Sequence, residues 1–235
     1  MADALVTAVG PATMQSTPSS PPATRWPRPK GLLLDAMGTL IDLRQSVGSS
    51  YAALAQEQGI SVDAEAIDAV FGQVLSQAPA LAFTGLEAEA LLAAERQWWG
   101  DRIAETFAAL EAPEPSQELR LALFDHFAEA EQWRVFPDVV EQLRGWREAG
   151  LKLAVVSNFD RRLHGLLAQL ELSHLLDAVV VSSEAGAAKP DPHPFALALN
   201  ALDLEAAEVW HVGDSPEDLA GARAAGLRCV LIERI

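Results

Sequence analysis

Short apolar runs punctuate this chain, and the segments between them keep two different rhythms. "LLLDAM" (32–37), "LKLAVVSN" (151–158), "DAVVVSS" (177–183), "EVWHVGD" (208–214) and "RCVLIE" (228–233) are brief, apolar or β-branched, and bounded by polar residues. Runs of that kind read as strands buried on both faces. Helical patterns alternate with the last four. "DVVEQLRGWREAG" (138–150) precedes the second run and "PEDLAGARAAG" (216–226) follows the fourth, with Gly150 and Gly226 where helices stop. Strands alternating with helices predict a parallel sheet covered on both sides, a doubly wound, Rossmann-like α/β core.

Residues 45–133, between the first two runs, keep the helical rhythm only. Ile67, Val70, Phe71 and Val74 follow the i, i+3, i+4, i+7 spacing, with Asp63 placed to cap them. Leu119, Ala122, Leu123 and Phe127 repeat the spacing after the "APEPS" break, and "EAEALLAAERQWWGDRIAETF" (87–107) is a longer helical stretch. This predicts an all-helical cap over 45–133, inserted into a core made of 31–44 and 134–235. Residues 1–30 hold six prolines and no sustained apolar period, the composition of a disordered tail.

Composition narrows the setting. Half of the 235 residues are hydrophobic, enough for one large domain with an insert. The apolar stretches are too short and too interrupted for a membrane span, and the lone Cys229 fits a reducing, cytoplasmic environment. The net charge is −16, and because residues 1–30 carry +2 the remainder carries −18. Such a field repels nucleic acid and anionic lipid. An anionic substrate would need cations at the site itself, from a lysine or a divalent metal.

Ligands of open α/β sheets bind beyond the carboxyl ends of the strands. The polar residues expected there are Asp35 after the first run, Ser157 and Asn158 after the second, Lys189 after the third, and Asp214 after the fourth, with Asp218 on the next helical turn. Each suits phosphoryl transfer. Asp35 can attack phosphorus, Ser157 can hold non-reacting oxygens, and Lys189 can neutralise charge. Asp214 can bind Mg²⁺, while Asp218 can hold a metal-bound water or an N–H group. Each also has a plainer reading: Ser157 as a helix cap, Asp218 as a helix-start acid favoured by the dipole, and His211 as a packed core residue. Trp98 and Trp99 are adjacent and cannot share a helix face, so one can point toward the crevice between cap and core.

"DAMGTL", "VVSN", "AAKPDP" and "VGDSPED", in that order, resemble the four motifs of the haloacid dehalogenase-like (HAD) hydrolase superfamily, in the branch with a helical cap after the first motif. "VGSSYA", "RQWW" and "SNFDRRL" narrow the resemblance to one type within it. The resemblance implies Asp35 as nucleophile, with Asp35, Asp214 and the backbone carbonyl of Met37 at a Mg²⁺ ion that Asp218 supports. It implies Ser157 and Lys189 on the phosphoryl group, and Gly38 and Thr39 shaping the loop, with a small phosphorylated metabolite as substrate.

One position departs from the pattern. The family's general acid–base carboxylate stands two residues after the nucleophile, where this chain has Met37. A thioether can neither protonate a leaving oxygen nor activate water, a loss of roughly 10²–10⁴-fold. The leading expectation is a Mg²⁺-dependent phosphohydrolase working through an aspartyl-phosphate, weakened or specialised by Met37. A catalytically inactive binding or regulatory protein is the alternative. A 2-haloacid dehalogenase also needs no second acid, but Asp214 is a carboxylate that metal-free C–halogen displacement has no use for. A phosphonate-cleaving enzyme with a cap lysine is ruled against, since 45–133 contains no lysine.

Overall fold

The computed structural model describes residues 28–234. The tail expected over 1–30 lies outside the described residues except for its last three. Of these, Lys30 already belongs to the fold: its N–H donates to Glu208 O at 2.7 Å and its carbonyl accepts from Lys152 N at 3.0 Å.

The chain opens with β1 (Gly31–Leu34) and β2 (Ile41–Leu43) and continues into helices α1 (Val47–Glu57), α2 (Ala64–Gln77), α3 (Ala88–Ala109) and α4 (Gln117–His126). β3 (Trp133–Val135) returns it to the core. There α5 (Val139–Glu148), β4 (Lys152–Ser157), α6 (Arg162–Gln169), β5 (Ala178–Val181), α7 (Ser182–Ala185), α8 (His193–Leu202), β6 (Val209–Gly213), α9 (Pro216–Ala224) and β7 (Arg228–Leu231) follow. The five apolar runs are all strands, trimmed at their ends.

The sheet is parallel, in the order β5-β4-β1-β6-β7. β1 lies at the centre because its four residues are apolar without interruption and can be covered from both sides. Leu32 and Leu34 face one layer with Val139, Leu143, Leu163 and Leu166 of α5 and α6. Leu33 faces the other, with Phe195 and Ala198 of α8 and Ala222 of α9. Each fully buried leucine contributes about 1.5–3 kcal/mol of transfer free energy. The chain builds outward from β1 in one direction through β4 and β5, then crosses to β6 and β7. This reversal leaves a crevice at the carboxyl end of β1.

The insert has its own core of Tyr51, Ile67, Ile103, Phe107, Leu119 and Leu123. Asp63 caps α2 by accepting from Ala66 N at 3.2 Å, and Ser116 caps α4 by accepting from Leu119 N at 3.1 Å. The sequence pattern does not reveal the antiparallel ribbon of β2 and β3, in which Leu43 pairs with Trp133 and Ile41 with Val135. Three residues per strand are too few for a period. No described helix is long and apolar enough to cross a membrane.

Polar contacts fasten the insert to the core. Trp99 Nε1 donates to Asp160 Oδ2 at 2.7 Å, whereas Trp98 Nε1 donates to Pro79 O within the insert. Ser182 Oγ donates to Leu81 O at 2.7 Å. Glu95 of α3 is fully buried and accepts from Ser183 Oγ at 2.7 Å and Arg161 N at 3.1 Å. Burial pushes its carboxyl above the usual range, against the opposing effect of these bonds. A carboxyl raised on folding contributes stability below its unfolded pKa and loses it as pH rises through the folded value. Glu95→Gln is therefore expected to gain thermal stability relative to the wild type as pH rises from about 4 to 8. Melting curves across that range check this; a difference independent of pH would refute it.

Candidate active site

Each strand that reaches the crevice delivers one polar group. Asp35 follows β1 directly, and its N–H still donates to Val212 O of β6 at 2.9 Å, so the sheet fixes its backbone. The chain then turns tightly: Leu40 N and Ile41 N both donate to Ala36 O, and Gly38 N donates to Ile41 O. Gly38 has φ +80°, and a Cβ there would lie 2.2 Å from Asp214 Oδ2. Only glycine permits both that backbone and that approach of carboxylate to loop.

Lys189, beyond β5, is buried and reaches two carboxylates, Asp35 Oδ1 and Asp218 Oδ1, each at 2.6 Å. Burial alone would push the ammonium down, but Asp35 and Asp218 outweigh it and hold Lys189 above the usual lysine range. For Asp35 burial wins over the attraction of Lys189, and the carboxyl is raised. Asp218 is raised by burial but more strongly lowered by its hydrogen bond from His211, by Lys189 and by Ser215, and ends well below the usual range. Asp214 is exposed; partial desolvation and the charges of Asp35 and Asp218 push it up.

Asp35, Asp214 and Asp218 each offer a carboxylate oxygen within 4.8 Å of the others. Three carboxylates against one ammonium leave an excess of negative charge. An all-oxygen donor set with that excess fits a hard divalent cation such as Mg²⁺. Asp218, however, is already saturated. Its Oδ1 accepts from Lys189 and from His211 Nε2 at 2.8 Å, and its Oδ2 accepts from Ser215 N at 3.1 Å and Ser215 Oγ at 2.7 Å. A Cβ on Gly213 would collide with it at 2.3 Å. Asp218 thus holds Lys189 and an N–H group in place, the second of the two roles expected of it. Asp35 and Asp214 remain as the direct candidates for metal contact, with the Met37 carbonyl on the loop between them.

An open depression of about 430 Å³ is lined by Asp35, Met37, Gly38, Ser157, Asn158, Lys189, Asp214 and Asp218. All the residues expected at the site meet there except Thr39. That residue is buried and lines a separate groove, and its carbonyl accepts from Arg234. Asn158, expected to bind substrate, instead spends its amide on the backbone of Lys189: Nδ2 donates to Lys189 O at 2.9 Å and Oδ1 accepts from Lys189 N at 2.7 Å. It positions the lysine. Ser157 is no helix cap, since α6 starts at Arg162 with Arg161 as its cap residue. His211 is buried as expected, yet it also supports the site through Asp218. Its signal was a polar residue in an otherwise apolar strand. Ser215, which caps α9 and bonds Asp218, was not anticipated either.

A model of the family described as haloacid dehalogenase-like hydrolase matches residues 29–226. The haloacid dehalogenase-like hydrolase domain-containing protein 3 of Bos taurus is 38% identical over 205 residues, 86% of this chain and 80% of that protein. Phosphoserine phosphatase of Thermus thermophilus is 37% identical over 125 residues, 52% of this chain and 49% of that one. Among solved structures, L-2-haloacid dehalogenase from Xanthobacter autotrophicus aligns with a TM-score of 0.65 at 26% identity, covering 88% of this chain and 78% of that one.

Proposed function

The chain belongs to the haloacid dehalogenase-like hydrolase family, and from that premise we propose that it is a Mg²⁺-dependent phosphohydrolase acting through an aspartyl-phosphate on a small phosphorylated metabolite. One observation carries the reading. Asp214 lies with Asp35 and Asp218 in a carboxylate cluster that Lys189 alone does not neutralise. Metal-free displacement at carbon has no use for that extra charge, whereas a cation-assisted phosphoryl transfer does.

Lys189 holds one oxygen of Asp35 and leaves the other for attack. That oxygen forms a bond to phosphorus as the bond from phosphorus to the leaving oxygen breaks. Lys189 and the Ser157 hydroxyl face the non-reacting phosphoryl oxygens, where preorganised donors act most strongly. Asp35 and Asp214, with the Met37 carbonyl, would hold Mg²⁺, which would supply positive charge to offset that of the reacting groups. The leaving oxygen takes its proton from solvent, because Met37 has none to give. Water then attacks the phosphorus of the acyl phosphate, and the P–O bond to Asp35 breaks, restoring the carboxylate and releasing phosphate.

The purified protein is expected to release phosphate from acetyl phosphate or p-nitrophenyl phosphate only with Mg²⁺, and Asp35→Asn to fall to background. A second reading, dehalogenation, draws on Met37 and the likeness to L-2-haloacid dehalogenase. Metal-independent halide release from a 2-haloacid, without phosphate release, would replace the phosphatase reading with that one. Absence of both activities would favour a binding role.

A further inference from the structure

Beside the charged depression lies a second chamber of opposite character. It lies between insert and core, has a volume of about 110 Å³, and is walled by Tyr51, Phe71, Trp99, Phe124, Trp133 and Phe159 with aliphatic side chains between them. The indole and guanidinium N–H groups of these walls are spent elsewhere. Trp99 Nε1 donates to Asp160 and Trp133 Nε1 to Phe127 O. Arg162, at the edge, gives its guanidinium to both oxygens of Asp160 and to Phe124 O. Tyr51 brings the one hydroxyl of the wall, and burial keeps it protonated.

Met37 and Phe159 line this chamber and the charged depression alike. The side chain that displaces the family's acid therefore stands where the two spaces adjoin. An aspartate at 37 would place a charge at the rim of an apolar cavity; methionine continues its surface and, being unbranched and polarizable, adapts to an apolar neighbour.

We propose that this chamber is a substrate subsite that takes a small apolar group, one aromatic ring or a branched alkyl chain of about five carbons, attached to the phosphate held at Asp35 and Lys189. The proposal rests on the phosphohydrolase reading for the charged end of the ligand and adds the chemistry of the other end. It selects against polar phosphoesters of the same size, because one buried tyrosine hydroxyl among apolar walls does not replace the hydration of a carboxylate or ammonium group.

Binding separates the two ideas. Benzylphosphonate, methylphosphonate and 2-carboxyethylphosphonate resist hydrolysis, so their affinities are measured by calorimetry with Mg²⁺ whether or not the protein turns over. Benzylphosphonate is expected to bind at least about tenfold more tightly than either of the others. Filling the chamber from two different helices, with Val47→Phe or Leu75→Trp, should bring the ratio close to one. Enlarging it with Phe71→Ala should extend the preference to 1-naphthylmethylphosphonate, and guards against a filled variant that does not fold. Equal affinities for the three ligands, or a preference that the filled and enlarged variants leave unmoved, overturn the subsite. A preference that persists with no phosphate release from benzyl phosphate sinks the phosphohydrolase reading and leaves the subsite. Phosphate release with no such preference does the reverse.

Discussion

Met37→Asp raises kcat/KM for an alkyl phosphate by about 10²–10⁴-fold, the usual worth of a positioned general acid–base group. Residue 37 is 43% exposed and lines the depression beside Asp35, so a carboxylate there would stand next to the reacting group. The carboxylates already clustered nearby would hold the new one partly protonated, as an acid needs. For p-nitrophenyl phosphate the gain in the first step is small, because that leaving group departs without a proton. The wild type should show the complement. With an aryl phosphate the first turnover is fast and the second slow, since nothing activates the water that cleaves the acyl phosphate. A burst approaching one equivalent of nitrophenol per protein, abolished in Met37→Asp, is the measurement. Equal gains on alkyl and aryl substrates would mean that residue 37 acts on binding and not on proton transfer.

Lys189→Met is expected to cost both activity and stability. Its ammonium is the cation that touches Asp35 and Asp218 in the interior. Removing one partner of a buried charged group leaves the others uncompensated, at about 3–5 kcal/mol. For a domain of this size that lowers Tm by roughly 10 °C. Loss of a donor to the phosphoryl oxygens lowers kcat by about 10²–10³-fold more than instability alone explains. The stability deficit should shrink in acid. Asp218 is held below the usual carboxylate range in the wild type. Its contribution is thus present above the unfolded pKa and is lost as pH falls through the folded value. Part of that contribution is already missing in the variant. Melting temperatures of both proteins from neutral pH down to about pH 2, below the unfolded carboxylate value of about 3.9, test this, and an unchanged Tm at neutral pH would show that the buried triad contributes nothing to the fold.

The core and the charged site were legible in the sequence for one reason. Asp35, Ser157, Asp214 and, one turn later, Asp218 each follow an apolar strand at a short distance along the chain, and a parallel sheet brings such ends together. What escaped depends on partners far away in sequence. Asn158 belongs to the site, but its partner is the backbone of Lys189, which no local pattern encodes. Thr39 is adjacent to Gly38, yet the tight turn carries it out of the depression. α3 shows little one-sided apolar pattern because it serves two surfaces: Ile103 and Phe107 face the insert's own core, while Glu95 and Trp99 are bonded to the α/β core. The acid Glu95 and the pair Asp160–Arg162 read as solvated charges until the docking of the insert buries them.

The ribbon of β2 and β3 bears on how such proteins diversify. The chain enters and leaves the insert on paired neighbouring strands, Leu43 opposite Trp133. From the standpoint of the sheet, everything between those two residues is the loop of a single hairpin. The cost of closing that loop grows only with the logarithm of its length, and its ends are already fixed side by side. Lengthening, shortening or exchanging the intervening helices therefore leaves the spacing of β1, β4 and β6 undisturbed. The charged half can stay constant while the helices that bring Tyr51, Phe71 and Trp99 to the second chamber are rewritten, so a change of substrate in this lineage need not pass through an unfolded intermediate design.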